Sequence, residues 1–142
     1  MIRPFLIMAL AVGVGTVTAL PSPARTSGGQ SHDPRPFSCP VVRVHDGDTF
    51  TCASGARIRL QAVDAPEIGA CRGHGGRCVS GDGYASRDAL RRLALGQTAL
   101  CRPSGRSYDR IVALCSVGAV DLSCAQLRSG QAVERYGRLR CR

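Results

Sequence analysis

The 142-residue chain contains no lysine and no tryptophan. All 19 of its basic residues are arginine, and aromatic residues make up only 4%. A core must therefore come from Val, Leu, Ile and Ala. Acids are scarce: ten Asp and Glu leave a formal net charge of +9 and a pI near 9.8. Such a balance points to an anionic partner such as nucleic acid, acidic polysaccharide or a membrane surface. No internal repeat is visible and no CxxC pair occurs, so the usual zinc-ribbon and thioredoxin signatures are missing. A hydrophobic content of 44% excludes a disordered tail. The length fits one domain.

The N-terminus reads as an export leader. Arg3 is a short positive region, Phe5 to Val14 is apolar, and Val17-Thr18-Ala19 and Ser22-Pro23-Ala24 offer small residues before a cleavage point. The apolar run is shorter than the roughly 20 residues an ordinary membrane span needs. Residues 1–24 are thus expected to be a signal peptide, 25–36 a disordered Ser/Gly/Pro-rich linker and 37–142 the folded domain. Export implies a secreted or periplasmic protein without stable membrane association after cleavage, and a monomer is expected.

All eight cysteines follow the leader, and an even count in a small exported domain argues for disulfides. Many connectivities are possible. The local, non-crossing set is expected: Cys39–Cys52, Cys71–Cys78, Cys101–Cys115 and Cys124–Cys141.

Val41, Val42 and Val44 form a β-branched run ending at the Asp46-Gly47-Asp48 turn, and Thr49 to Thr51 restart an extended segment. Residues 57–62 alternate, with Ile58, Leu60 and Ala62 on one face and Arg57, Arg59 and Gln61 on the other. Tyr84 to Leu95 reads as a helix with a stripe of Ala85, Ala89 and Leu93, closed by Gly96. Gln97 to Cys101 and Arg110 to Val117 read as strands joined around Pro103-Ser104-Gly105. Asp121 is a candidate N-cap for a short helix to Arg128, closed by Ser129-Gly130. The expected architecture is mainly β with helices: a five-stranded Greek-key barrel of the OB-fold kind, a helix between its third and fourth strands and a short C-terminal helix.

Four of the ten acids, Asp46, Asp48, Asp64 and Glu67, fall within residues 46–67 at strand ends and turns, with Arg59 between them and Arg110 on a later strand. Carboxylates among excess arginine suit metal-assisted phosphodiester chemistry. Hard oxygens hold a divalent cation, and guanidinium forks neutralise charge growing on a phosphoryl group.

The blocks Val44-His45-Asp46-Gly47-Asp48-Thr49-Phe50, Ile58 to Glu67, Ser107 to Ala113, and Asp121-Leu122 with Gln126 to Ala132 resemble the staphylococcal (micrococcal) nuclease family, or thermonucleases. They cover roughly residues 41–136. The resemblance implies a Ca²⁺-dependent nuclease on an OB-fold barrel that cuts DNA and RNA with little sequence preference and leaves 3′-phosphates. It assigns Asp48, Asp64 and the Ala65 carbonyl to the calcium ion, and Glu67 to general-base activation of water. Arg59 and Arg110 become phosphate clamps, Tyr108 a phosphate contact and Tyr136 a residue bordering the nucleotide.

The chain departs from that pattern. Arg106 stands where the family has Asp, Ser107 where lysine is common, and Asp109 where it has Gly, which puts an extra carboxylate near Arg110. The chain also ends soon after Tyr136, so the family's long C-terminal helix is missing. Asp46 reads as a turn-former, His74 as an exposed loop residue, and Tyr136-Gly137-Arg138 as a chance copy of the family's Tyr-Gly-Arg block. The rival reading is a non-catalytic OB-fold module that binds nucleic acid or another polyanion outside the cytoplasm. If the resemblance holds, Arg59→Ala, Arg110→Ala and Glu67→Gln each lose at least about 10²-fold in nuclease rate while retaining the native circular dichroism spectrum.

Overall fold

The computed structural model describes residues 35–71 and 77–141; the leader, nearly all of the linker and His74 lie outside the described residues. In chain order the elements are β1 (Phe37–Val44), β2 (Thr49–Cys52), β3 (Arg57–Leu60), β4 (Val63–Asp64), α1 (Gly83–Ala94), β5 (Thr98–Ser107), β6 (Arg110–Val117), β7 (Val120–Asp121), α2 (Leu122–Arg128) and β8 (Val133–Glu134).

One sheet runs β3-β2-β1-β5-β6-β7, and a parallel β3–β6 pairing closes five of these strands on themselves, with the two-residue β7 outside the ring. The result is a mainly β protein with two helices around a closed five-stranded barrel, OB-like in form. Closure removes the open edges that a flat sheet of this size would expose.

Alternation explains the interior. Val41, Val44, Phe50, Ile58 and Leu60 are buried from β1, β2 and β3, with Leu90 from α1 and Leu122 from α2 beneath them. Burial in β1 skips from Val41 to Val44 because the β1–β2 register slips between Val41 and Arg43. Alternation alone turns Val42 to solvent, and the extra residue of the bulge keeps Arg43 outside as well and returns Val44 to the interior.

All four expected disulfides are present. Cys39–Cys52 ties β1 to β2, and Cys101–Cys115 ties directly opposed residues of β5 and β6. Both pairs are buried and belong to the hydrophobic core. Four disulfides fit an extracellular or otherwise oxidising compartment.

Several local expectations need correction. β3 ends at Leu60, and Ala62 adopts a left-handed φ of 58° that turns the chain into β4. Pro103-Ser104-Gly105 is a bulge inside one long strand, and the β5–β6 reversal falls at Tyr108-Asp109. The Cys101↔Cys115 register carries the hairpin past the more turn-like tripeptide. The buried stripe of α1 is Ser86, Ala89, Leu90 and Ala94, whereas Ala85 is exposed and Leu93 half-buried. Hydrogen bonding lets the polar Ser86 take the inner position. The second helix matches its expected limits, with the Asp121 carboxylate accepting from the Cys124 N–H at 2.8 Å and Gly130 at φ 68° beyond its end.

Leu90 lies wholly buried beneath the barrel. Leu90→Ala is expected to cost about 2–5 kcal/mol, read as a lower urea midpoint at an unchanged m-value.

Candidate active site

The turn between β1 and β2 begins the site. The Asp46 carboxylate accepts the Asp48 N–H at 3.0 Å, the side-chain-to-backbone bond expected of a turn-former. Gly47 sits hard against α1. A Cβ there would overlap Ser86 Oγ and lie 2.7 Å from Ala65 Cβ. Gln126, fully buried on α2, donates to the carbonyls of Gly47 at 2.7 Å and Ser86 at 3.1 Å. Ser86 Oγ in turn donates to the Gln131 carbonyl at 2.5 Å. Both helices therefore clamp the turn that carries Asp46 and Asp48.

β3 delivers Arg59 beneath this turn, because Thr49 pairs with Arg59 across the β2–β3 ladder. Arg59 Nη1 donates to Asp48 Oδ2 at 2.6 Å, and its Nη2 donates to Asp64 Oδ1 at 2.9 Å. One guanidinium thus joins two carboxylates, all with side chains less than one-fifth exposed. The Ala65 N–H adds a 3.2 Å bond to Asp48 Oδ2, and the Thr49 hydroxyl donates to Asp48 Oδ1 at 2.8 Å.

Burial and neighbouring charges act on two of these groups. Burial pushes the Asp46 carboxyl up to about 6, and the Asp48 carboxylate beside it adds to the rise. Burial alone would lower Arg59, but the Asp48 and Asp64 carboxylates outweigh it and hold the guanidinium above its ordinary value.

All eight residues singled out from the sequence border one cleft of ≈ 1230 Å³. Asp48, Arg59 and Asp64 form its buried floor. Glu67 is exposed at the edge, and Tyr108 and Tyr136 are each 76% exposed on the walls. Arg110 reaches in from β6, donating to Thr49 Oγ1 at 3.3 Å and Ser107 Oγ at 3.4 Å. No carboxylate pairs with it among the described residues. Asp109 turns away and pairs with Arg57 at 2.7 Å. The extra carboxylate beside Arg110 is thereby occupied elsewhere, with its acidity raised by the Arg57 hydrogen bond.

Among the described residues three non-glycine residues have positive φ, namely Ala62, Tyr108 and Tyr136, and all three border the cleft. Backbone strain of this kind costs on the order of 1 kcal/mol or more per residue and concentrates at functional sites.

Two features escaped the sequence. Arg135 donates from Nη1 to Asp64 Oδ2 at 2.7 Å and to the Arg77 carbonyl at 2.9 Å. Only its place beside Tyr136 hinted at it, since the tail reads as uniformly polar. Gln126 opened one of the recognised blocks, but nothing local revealed that it supports Gly47.

As a cation site the donors are of the right kind. Asp48 and Asp64 present hard carboxylate oxygens on either side of the Arg59 guanidinium, the oxygen type that a divalent ion such as Ca²⁺ takes. Among the described residues no group of three or more His, Cys, Asp or Glu side chains is arranged to hold a metal. A Ca²⁺ ion there would depend on backbone carbonyl and water oxygens to complete its shell.

No known family matches this chain. No curated protein matches it.

Gly47→Ala is expected to destabilise the fold by about 1–3 kcal/mol, because the added methyl must displace Ser86. Comparison with Gly47→Ala/Ser86→Gly by urea denaturation checks this: the double variant should recover part of the loss.

Proposed function

We propose that the protein is an exported, Ca²⁺-dependent nuclease that hydrolyses phosphodiester bonds of DNA and RNA with little sequence preference, leaving 3′-phosphates. The observation that carries this reading is the convergence of Asp48, Asp64 and Arg59 on the floor of one cleft, with Arg110, Glu67 and Tyr108 around it. The thermonuclease resemblance supplies the roles. On this reading the domain is a Greek-key OB barrel, with α1 between its third and fourth barrel strands. The leader sends it out of the cytoplasm as a monomer.

Asp48, Asp64 and the Ala65 carbonyl would hold the calcium ion. When bound, the ion draws charge from a phosphoryl oxygen. Arg110, without a carboxylate partner among the described residues, is available to a phosphate, and Arg59 adds positive charge from below. Glu67 accepts a proton from water as the water oxygen bonds to phosphorus. The P–O5′ bond breaks, the 5′ oxygen leaves with a solvent proton, and phosphate stays on the 3′ side. No covalent enzyme intermediate is needed. Tyr108 donates to the phosphate, and Tyr136 borders the base.

One observation favours the rival, a non-catalytic module that binds a polyanion. Arg59 and Arg135 already neutralise Asp48 and Asp64, which leaves the cleft basic without a metal.

Purified oxidised protein incubated with single-stranded DNA and Ca²⁺ separates the two. Cleavage that a chelator abolishes and that is lost in Glu67→Gln is the expected result. DNA retained but uncut under both conditions would establish the binding module instead.

A further inference from the structure

Arg135 lies on a strap formed by the C-terminal residues. β8 pairs with β4, matching Val133 with Asp64 and Glu134 with Val63. The Arg135 N–H donates to the Ala62 carbonyl at 3.1 Å, and Cys124–Cys141 fastens the end of the tail to α2. The Leu139 N–H donates to Glu134 Oε1 at 2.7 Å, which folds the tail back on itself. Tethered in this way, the strap lays Tyr136 against Arg59, with the guanidinium carbon 5.6 Å from the ring centre. It also sets Arg135 on Asp64.

Asp64 consequently has a different guanidinium on each oxygen: Arg59 on Oδ1 at 2.9 Å and Arg135 on Oδ2 at 2.7 Å. The two arginines are not equivalent. Arg59 is 12% exposed and also holds Asp48, so its withdrawal would strip both acids at once. Arg135 is 33% exposed, stands at the cleft edge and holds no other carboxylate among the described residues. It is the cation that can leave Asp64 at least cost, because its guanidinium passes into a solvated cleft.

We propose that Arg135 is a positioning residue that competes with the divalent cation for Asp64 and so sets the cation affinity of the site. The inference rests on the proposed role of Asp64 as a cation ligand. Without the ion, Arg135 keeps a half-buried carboxylate paired. A dication approaching the same oxygen is repelled by the guanidinium until that guanidinium swings away, and this repulsion weakens binding.

Isothermal titration of Ca²⁺ into the oxidised full domain, without substrate and at low salt, tests this. Arg135→Met is expected to bind Ca²⁺ about tenfold more tightly than wild type, whereas Arg135→Lys, which keeps the charge, stays near wild type. A merely structural role would weaken binding in Arg135→Met or leave it unchanged, and either result with a calcium-binding wild type overturns the inference alone. Absence of binding in wild type and all variants overturns both the inference and the metal role of Asp64. Thermal denaturation without Ca²⁺ verifies folding, and Arg135→Gln, neutral but still a donor, replaces Arg135→Met should that variant not fold.

Discussion

The Arg59 guanidinium, bonded at once to Asp48 and Asp64, is the contact around which the cleft is organised. Its two acids come from separate segments, the β1–β2 turn and the short β4. A single side chain therefore fixes the spacing between them. Two carboxylates sheltered from water would repel each other and lose hydration, and a shared planar cation offsets both costs. Lysine, a compact point charge, could not span two acids in this forked way. That constraint also explains why Arg59 must stand on β3 opposite Thr49: the ladder aims the side chain under the turn before any ligand arrives.

The rest of the molecule serves to keep that contact rigid. The barrel holds β2 and β3 in register, while Gln126 and Ser86 clamp the Gly47 turn from the two helices. Phe50 is the one aromatic side chain fully buried among the described residues, so the interior has few large groups to lock it. Buried disulfides across β1–β2 and β5–β6 supply that lock. Each constrains the unfolded chain by about 2–4 kcal/mol, which is substantial for a domain of this size. The fourth disulfide works differently, fastening a strap whose residues enter the cleft.

Much of this was legible in the residues themselves, and what was not has a physical reason. The second helix could be bounded closely because its signals are local: an Asp that caps and a Gly that adopts φ > 0. The disulfides could be paired because neighbouring excursions of the chain needed closing. Asp48, Arg59, Asp64 and Glu67 stood out because acids cluster around an arginine within residues 46–67 of an acid-poor chain, whereas Ala65, Tyr108 and Tyr136 were reached only through the thermonuclease resemblance. The β5–β6 reversal was misplaced because Pro-Ser-Gly is the better turn locally, yet cross-strand register decides. The inner face of α1 was misread because Ser86 is buried through hydrogen bonds that hydrophobic spacing does not detect. Arg135 was invisible because its partner lies 71 residues away and is reached only through the β4–β8 pairing.

The proposed chemistry is cleavage of the P–O5′ bond of a nucleic acid in this cleft. Analysis of the ends produced from a 5′-labelled single-stranded oligonucleotide with Ca²⁺ tests it most directly. Shortened products whose mobility changes on treatment with a 3′-phosphatase are expected. Products that end in 3′-hydroxyl, or a strand that is bound and never cut, would contradict it.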